Sequence, residues 1–236
     1  MRITHGILLL GFIAGSTAVH AQESGVFAGL DLLGGTAFGT SSTTNGGAPW
    51  AGKGIVDNVT FGLSGGVGAH LGYHFDGPLS VYLSYAHLAG DISWDTDFPL
   101  IGQSSHFDGS ANSDILLAKL AYEIPVADAM SLAISAGLGV SLNSLDGVVE
   151  TVASTGAFAA DIESHTTYSP AAELGAALQY QVTDSAKLSL GGSIAYVGGF
   201  ETGATRFGNL GTTDINPYKI DDVWRANLQA SLRFQF

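Results

Sequence analysis

The stretch Trp224–Phe236, WRANLQASLRFQF, decides the fold because apolar and polar side chains alternate strictly along it. Its apolar members are Trp224, Ala226, Leu228, Ala230, Leu232, Phe234 and Phe236. Only a β-strand places such a set on one face, since successive side chains of a strand point to opposite sides. A usual globular strand has ~5–6 residues, whereas a tilted strand that crosses a membrane needs ~9–11. The stretch therefore predicts a membrane strand.

The same alternation recurs along the chain. It predicts eight strands, at about residues 24–38, 58–76, 78–92, 113–126, 129–143, 169–184, 186–202 and 221–236. Three of the connections are tight, and four are long, at about 39–57, 93–112, 144–168 and 203–220. Short turns at one end and long loops at the other are typical of bacterial outer-membrane barrels. We therefore predict an all-β fold, an eight-stranded antiparallel up-and-down transmembrane β-barrel with short periplasmic turns and four long extracellular loops.

The composition excludes several other classes of protein. Charged residues make up 12% of the chain, against ~25% in a usual soluble domain. Cysteine is absent, which excludes a disulfide framework and a thiolate metal site. Acidic residues outnumber basic ones 21 to 8. This balance argues against nucleic acid as a partner, because nucleic-acid binding needs a basic surface.

The first 21 residues have the pattern of an export signal. Arg2 supplies a positive start, Ile7–Ala14 is a short apolar run, and Val19-His20-Ala21 resembles a cleavage site. An uncleaved anchor helix is the alternative, but the apolar run is too short to span a bilayer. We expect residues 1–21 to be a cleaved signal peptide and residues 22–236 to form one barrel domain in the bacterial outer membrane.

The polar face of the strands is predicted to line the barrel interior. It consists mainly of Gly, Ser, Ala and Thr, whereas a face in contact with water would carry many Lys and Glu. Its few charges nearly balance, as charges in a crowded interior must. We predict a structural polar network in this lumen, formed by Asp31, His70, His74, Lys119, Glu123, Glu173, Lys187, Arg225 and Arg233. The two histidines are ~13 Å apart along one strand, too far to bind one metal ion.

Aromatic residues on the apolar face are predicted to form two girdles at the membrane interfaces. The lower girdle would contain Tyr73, Phe75, Tyr122, Tyr180, Phe234 and Phe236. The upper girdle would contain Phe61, Tyr196, Phe200 and Trp224. An aliphatic band between two aromatic girdles is the surface expected of a barrel that faces lipid.

The signal, the eight alternating strands and the ending Leu232-Arg233-Phe234-Gln235-Phe236 together resemble small outer-membrane β-barrels. The OmpA transmembrane domain, OmpX and the opacity-type surface proteins are the comparison. The resemblance implies that Phe234 and Phe236 are the assembly signal, read by the barrel-assembly machinery during insertion. It also implies contact with outer-membrane lipid and lipopolysaccharide.

The long loops are rich in carboxylates and contain candidate sites. Two of them hold acidic residues without Lys or Arg: Asp95, Asp97 and Asp108 in one, and Asp146, Glu150, Asp161 and Glu163 in the other. The cluster from Asp91 to Asp97 could supply oxygen ligands to Ca²⁺, but it lacks the glycine turn and terminal Glu of a known calcium loop. We therefore predict a solvated acidic surface that an extracellular partner could contact. His87 on the apolar parity is similar to the histidine of lipid A deacylases, but Ala89 follows where a nucleophile would be needed. We expect no catalytic residue, metal or cofactor.

Three functions are compatible with this sequence. An eight-stranded barrel is just wide enough to be filled by its own side chains, which favours a non-enzymatic protein with a structural or adhesin-like role. A narrow channel for small solutes or ions is the first alternative, since glycines are frequent on the inner face. A lipid-modifying enzyme is the second alternative.

Overall fold

A computed structural model describes residues 24–41, 43–45 and 54–236 of the chain. The expected export signal at residues 1–21 lies outside the described residues. The strands are β1 Gly25–Thr40, β2 Thr44–Asn45, β3 Gly54–His74, β4 Leu79–Phe98, β5 Gln103–Ala127, β6 Met130–Val152, β7 Phe158–Ile162, β8 His165–Thr183, β9 Ala186–Glu201, β10 Thr205–Gly208, β11 Gly211–Asp214 and β12 Lys219–Gln235. No helix in the described part is long and apolar enough to cross a membrane.

Eight long strands pair antiparallel with their neighbours and close into a ring. The order around the ring is β1–β3–β4–β5–β6–β8–β9–β12, and β12 pairs back with β1. That closing seam runs from the pair Phe27 and Gln235 to the pair Thr40 and Asp221. Sequence neighbours are also spatial neighbours throughout, so the predicted eight-stranded up-and-down barrel is confirmed.

The strands extend further at the extracellular end than the alternation predicted. Strands β4 and β5 stay paired up to Phe98 and Gln103, so most of the expected loop at 93–112 is a β-hairpin. Strand β6 likewise continues to Val152 and pairs there with β7. Strands β7, β10 and β11 form a small sheet on the extracellular end of β6. Where the structure describes them, the longer connections are thus largely β-structure that projects beyond the membrane.

A band of exposed apolar side chains, the apolar belt, encircles the outside of the barrel. Its most exposed members include Leu30, Leu32, Leu63, Leu71, Leu138, Leu174, Leu190 and Leu228. On β6 the belt runs from Leu132 to Leu142, ten steps of ~3.3 Å on a strand tilted by about 40°, which gives a height of about 25 Å. This height matches the hydrocarbon core that outer-membrane barrels span.

Above the belt the pattern reverses, and apolar side chains point inward. On β4 the outward side chains change from Tyr85 to Asp91 and Asp95, while Leu88 and Trp94 are buried inside. The reversal follows the solvent, because the projecting part of the barrel is surrounded by water rather than lipid. The buried side chains form an extracellular core that contains Leu88, Ile92, Trp94, Phe107, Leu145, Val148, Val197, Phe200, Tyr218, Ile220 and Val223.

Two residues of the expected upper girdle are instead inside the barrel. Phe200 is 1% exposed, and its ring centre lies 5.9 Å from that of Phe61, which packs against the same core. The prediction was wrong for this pair because β-bulges change which side of a strand faces inward. One register shift follows Phe61 on β3, and another coincides with Gly198 on β9, whose φ is +81°.

A charged residue in the middle of the belt should destabilise the barrel, whereas one at the extracellular tip should not. Leu138→Arg is expected to lower the free energy of unfolding by ~2–4 kcal/mol, the usual effect of Arg at the bilayer midplane. Leu210→Arg is the matched control, since Leu210 is 97% exposed on the turn between β10 and β11. Denaturant titration of the protein folded into lipid vesicles measures both. Equal stability of the two variants would contradict the assignment of the belt.

Candidate functional site

The nine predicted lumen residues all lie inside the ring, where four strands or more contribute side chains to one narrow space. Six of them are less than 9% exposed: Asp31, His74, Glu123, Lys187, Arg225 and Arg233. The side chains of the other three, His70, Lys119 and Glu173, are 9–10% exposed. Eight of the nine gather into three groups, and Arg225 stands apart.

Glu123 is the centre of the group at the periplasmic end. Its Oε2 accepts a hydrogen bond from Lys187 Nζ at 2.7 Å, and its Oε1 accepts one from Arg233 Nη1 at 3.0 Å. His74 Nδ1 lies 4.0 Å from Oε1 and 2.7 Å from the hydroxyl oxygen of Ser80. One buried carboxylate therefore pairs with two buried cations, and a histidine lies beside it.

The same group is packed against an aromatic ring that the alternation places inside. Arg233 Cζ lies 3.8 Å from the centre of the Phe27 ring, and Phe27 is 1% exposed. A guanidinium over an aromatic face is attracted by the ring quadrupole, most strongly where water is excluded. Phe27 was not among the predicted lumen residues, although its parity on β1 matches that of Asp31.

Asp31 is the centre of the second group. It accepts hydrogen bonds from His70 Nδ1 at 3.0 Å, from Gln229 Nε2 at 2.8 Å, and from the hydroxyl of Ser231. Glycine at position 29 makes room for this group, because a Cβ there would lie 2.3 Å from His70 Nε2. The carboxylate thus has three donors from two neighbouring strands of the ring.

Lys119 and Glu173 form the third group, an ion pair in the middle of the lumen. Lys119 Nζ also lies 5.9 Å from the centre of the Tyr82 ring. Beside the pair is a polar cavity of about 80 Å³, bordered by His70, Tyr82, Gln229 and Ser231. A polar cavity of this size has room for several water molecules.

Arg225 departs from the charge balance that the sequence predicted. Its side chain is 1% exposed, and Nη2 donates a hydrogen bond to the Ser64 hydroxyl at 2.6 Å. No carboxylate of the described residues lies within ion-pair distance of it. The predicted set contains four Lys and Arg against three carboxylates, and Arg225 is the one of these four without a carboxylate partner among the described residues. Ala37, Phe61 and Ala111 surround it, at the junction between the polar lumen and the extracellular core.

The extracellular core closes the lumen above Arg225. The rings of Trp94 and Phe107 stack with centres 5.1 Å apart and planes 4° apart, and Tyr218 packs against both. Glu150, which the sequence placed in a solvated loop, is also inside and only 4% exposed. That expectation was wrong because β6 continues past the predicted loop start. Glu150 accepts hydrogen bonds from Arg206 Nε at 2.6 Å and from the Ser105 hydroxyl at 2.7 Å.

Carboxylates dominate the outer surface above the belt. This acidic face lies on β3, β4, β5, β7 and β11 and comprises Asp57, Asp95, Asp97, Asp108, Asp161 and Asp214. His106 sits among them, with Nδ1 2.7 Å from Asp95 Oδ1 and Nε2 3.4 Å from Asp108 Oδ1. The hydrogen bond to Asp95 and the charge of Asp108 raise the pKa of His106 above its ordinary value. No group of three or more His, Asp or Glu in the described ranges is arranged to hold a metal ion.

Removing the carboxylate of Glu123 should destabilise the barrel strongly. Glu123→Gln removes the carboxylate that pairs with both Lys187 and Arg233, and breaking a buried ion pair from one side costs ~3–5 kcal/mol. Asp128→Asn is the control, because Asp128 is exposed in the periplasmic turn between β5 and β6. The measurement is the denaturant midpoint of unfolding from vesicles. Equal stability of Glu123→Gln and the control would show that the pairing of the Glu123 carboxylate with Lys187 and Arg233 does not stabilise the barrel.

The chain is similar to several solved outer-membrane proteins and to one protein family. No curated protein matches the chain. Similar solved structures include OprG from Pseudomonas aeruginosa, with 16% identity, a TM-score of 0.49, and 93% of this chain and 99% of that chain covered. Neisserial surface protein A has 13% identity, a TM-score of 0.45, and 91% and 99% coverage.

Ail of Yersinia pestis, in complex with the heparin analogue sucrose octasulfate, has the same identity, TM-score and coverage as the Neisserial protein. The model of the autotransporter β-domain family matches residues 12–236, nearly the whole chain. The chain therefore belongs to the autotransporter β-domain family.

Proposed function

We propose that this protein is a non-enzymatic barrel of the bacterial outer membrane that holds a rigid acidic surface outside the cell for contact with a cationic partner. The observation that carries the proposal is the filled interior. Ion pairs occupy the periplasmic half of the lumen, and the stacked rings of Trp94 and Phe107 occupy the extracellular half. A barrel without an open path serves through its surfaces rather than its lumen.

The projecting strands support the acidic face from behind. The extracellular core packs directly under β4, β5 and β6, and the buried pair of Arg206 and Glu150 ties the small outer sheet to it. The side chain of Arg206 points inward to that pair and is 15% exposed. A surface of one sign steers an oppositely charged partner toward it and accelerates association. We therefore infer a partner that presents basic residues.

The outermost strand, β11, offers a second means of contact. The hydrogen bond from Ile215 N to Ala204 O shows that this opposed pair is hydrogen-bonded, and along β10 and β11 hydrogen-bonded pairs alternate with pairs that are not. The backbone groups of Thr212 and Asp214 consequently point away from β10. None of the described strands pairs with this edge. An extended basic segment could add to it as a further strand, beside the carboxylate of Asp214.

A narrow conduit for small solutes or ions is the second candidate. The polar cavity of about 80 Å³ beside Lys119 and Glu173 favours it. A complete path would also have to cross the extracellular core, where Trp94 and Phe107 are fully buried. The same core leaves no room for a polypeptide, so we do not propose transport of a chain through the lumen.

The filled lumen predicts no conductance. The purified protein in planar lipid bilayers is expected to show no discrete current steps, because the core excludes water and ions from the extracellular half. If steps appear, Lys119→Glu tests whether they pass through the lumen, with Asp184→Asn on a periplasmic turn as control. Steps whose ion selectivity reverses only in Lys119→Glu would replace the proposed function by the channel.

Binding of a cationic probe to the acidic face should strengthen as the pH rises through the elevated pKa of His106. Below that pKa the imidazole is protonated and offsets part of the charge of Asp95 and Asp108, and above it the full charge of both carboxylates acts on the probe. A fluorescent decalysine peptide measures the affinity at several pH values in low salt. His106→Asn should remove this pH dependence, whereas His165→Asn, an exposed histidine on β8, should keep it. A pH dependence unchanged in His106→Asn would contradict the assignment.

A further inference from the structure

Three polar side chains meet on the outside of the barrel at the upper edge of the apolar belt. Asp114 Oδ1 accepts a hydrogen bond from the Tyr85 hydroxyl at 2.6 Å and another from His87 Nδ1 at 2.8 Å. His87 and Asp114 are directly opposite each other on β4 and β5. We call these three residues the belt-edge cluster. Its position between aliphatic side chains below and carboxylates above places it at the level of lipid headgroups.

The hydrogen bonds within the cluster decide what it can bind. Asp114 accepts from Nδ1 of His87, so that nitrogen carries a proton, and Nε2 is the second polar atom of the ring. Both bonds go to Oδ1 of Asp114, so Oδ2 is available as an acceptor. Within the part of the chain that the structure describes, neither Nε2 nor Oδ2 has a hydrogen-bond partner. The side chains of His87 and Asp114 are 44% and 41% exposed, so the two polar atoms Nε2 and Oδ2 face outward.

The surroundings of the cluster give space for a ligand. The outward positions one row above His87 are Gly65 and Ala89, which are paired across β3 and β4. A Cβ at Gly65 would meet no atom within 4 Å. The ring of Tyr85, 45% exposed, forms the membrane side of the cluster. The result is an open surface beside Gly65 and Ala89, here called the shelf. Nε2 of His87 and Oδ2 of Asp114 lie at its edge, and an aromatic ring lies next to it.

This chemistry suits sugar hydroxyl groups and disfavours phosphate. A sugar hydroxyl both donates and accepts hydrogen bonds, so neighbouring hydroxyls can bond to Asp114 Oδ2 and His87 Nε2 together, and the apolar face of a sugar ring packs on an aromatic side chain. A phosphate needs donors or cations, and the carboxylate of Asp114 repels it. The outward neighbours Val67, Leu142, Ala89 and Asn112 include no Lys or Arg. We propose that the belt-edge cluster binds the sugar headgroup of a glycolipid in the outer leaflet.

A glycolipid is the source of the sugar because the shelf continues into the belt. Its acyl chains would lie along Val67 and Leu116, both exposed to lipid, while the headgroup reaches His87 and Asp114. The inference rests on the proposed outer-membrane setting and names one lipid partner within it. It assigns no reaction, since Ala89 leaves His87 without an adjacent nucleophile.

The test compares lipid retention by variants of the intact barrel. The protein is reconstituted in phosphatidylcholine nanodiscs that contain a neutral glucosyl diacylglycerol, and native mass spectrometry counts the glycolipid that stays bound after release. His87→Phe keeps a ring but removes both ring nitrogens, and Asp114→Leu removes the carboxylate. Each is expected to weaken retention about tenfold, the effect of losing a hydrogen bond to a charged or polarised group.

Tyr196→Phe is the matched control. Tyr196 lies on β9, opposite β4 in the ring, and also faces outward near the upper edge of the belt beside Trp224. Its hydroxyl is expected to be irrelevant, so retention should equal that of the unmodified protein. Different migration of boiled and unboiled samples on gels verifies that every variant is folded.

Three results would overturn the inference. The first is equal glycolipid retention by His87→Phe and the unmodified protein. The second is a preference for phosphatidylglycerol over the glycolipid that depends on His87, which would indicate a phosphate site. The third is competition by a soluble glucose disaccharide that is as effective as competition by the glycolipid itself. This result would show that the lipid part of the ligand does not contribute to binding. Decalysine binding and bilayer conductance of His87→Phe report separately on the proposed function, so a failure of one proposal is distinguishable from a failure of the other.

Discussion

The backbone hydrogen bonds between β1 and β12 are the constraint on which the rest of the structure depends. Hydrocarbon offers no partner to a peptide group, so a sheet that crosses a membrane has no unpaired edge there. The seam from Phe27 and Gln235 to Thr40 and Asp221 removes that edge. Once the ring is closed, every strand has one face toward lipid and the other toward a narrow interior, and both faces restrict the side chains they accept.

The interior responds to this restriction differently at its two ends. Within the membrane, the lumen is lined by polar and charged side chains that pair with one another, with Glu123 accepting hydrogen bonds from Lys187 and Arg233 and Asp31 accepting from three donors. Beyond the membrane the outside is water, and the lumen becomes an ordinary hydrophobic core around Trp94 and Phe107. Arg225 lies where the two regimes meet. Its single hydrogen bond to Ser64 marks the transition from ion pairs to apolar packing.

The outside of the barrel shows the same change of solvent in reverse. Leucines cover the belt, and carboxylates follow as soon as the strands leave it. The belt-edge cluster lies between these zones, where a side chain contacts both acyl chains and headgroups. A hydrogen-bonded histidine and aspartate are stable there because polar lipid headgroups and water replace the hydrocarbon. The filled interior leaves these outer surfaces as the places where the protein can act on its surroundings.

Alternation along single strands was sufficient to predict the eight strands of the ring and their antiparallel order. It also predicted that Asp31, Glu123 and Arg233 face inward, because side chains alternate along a strand with a period of two regardless of its neighbours. It did not predict Phe61 and Phe200 inside, since a bulge shifts that parity and depends on how two strands pair. It also missed the burial of Glu150 and the solitary position of Arg225, because partners for a charge come from strands distant in the chain. The sequence by itself determined the barrel and its two faces; the tertiary structure decided where the faces exchange character and which charges meet, since both depend on the register between strands.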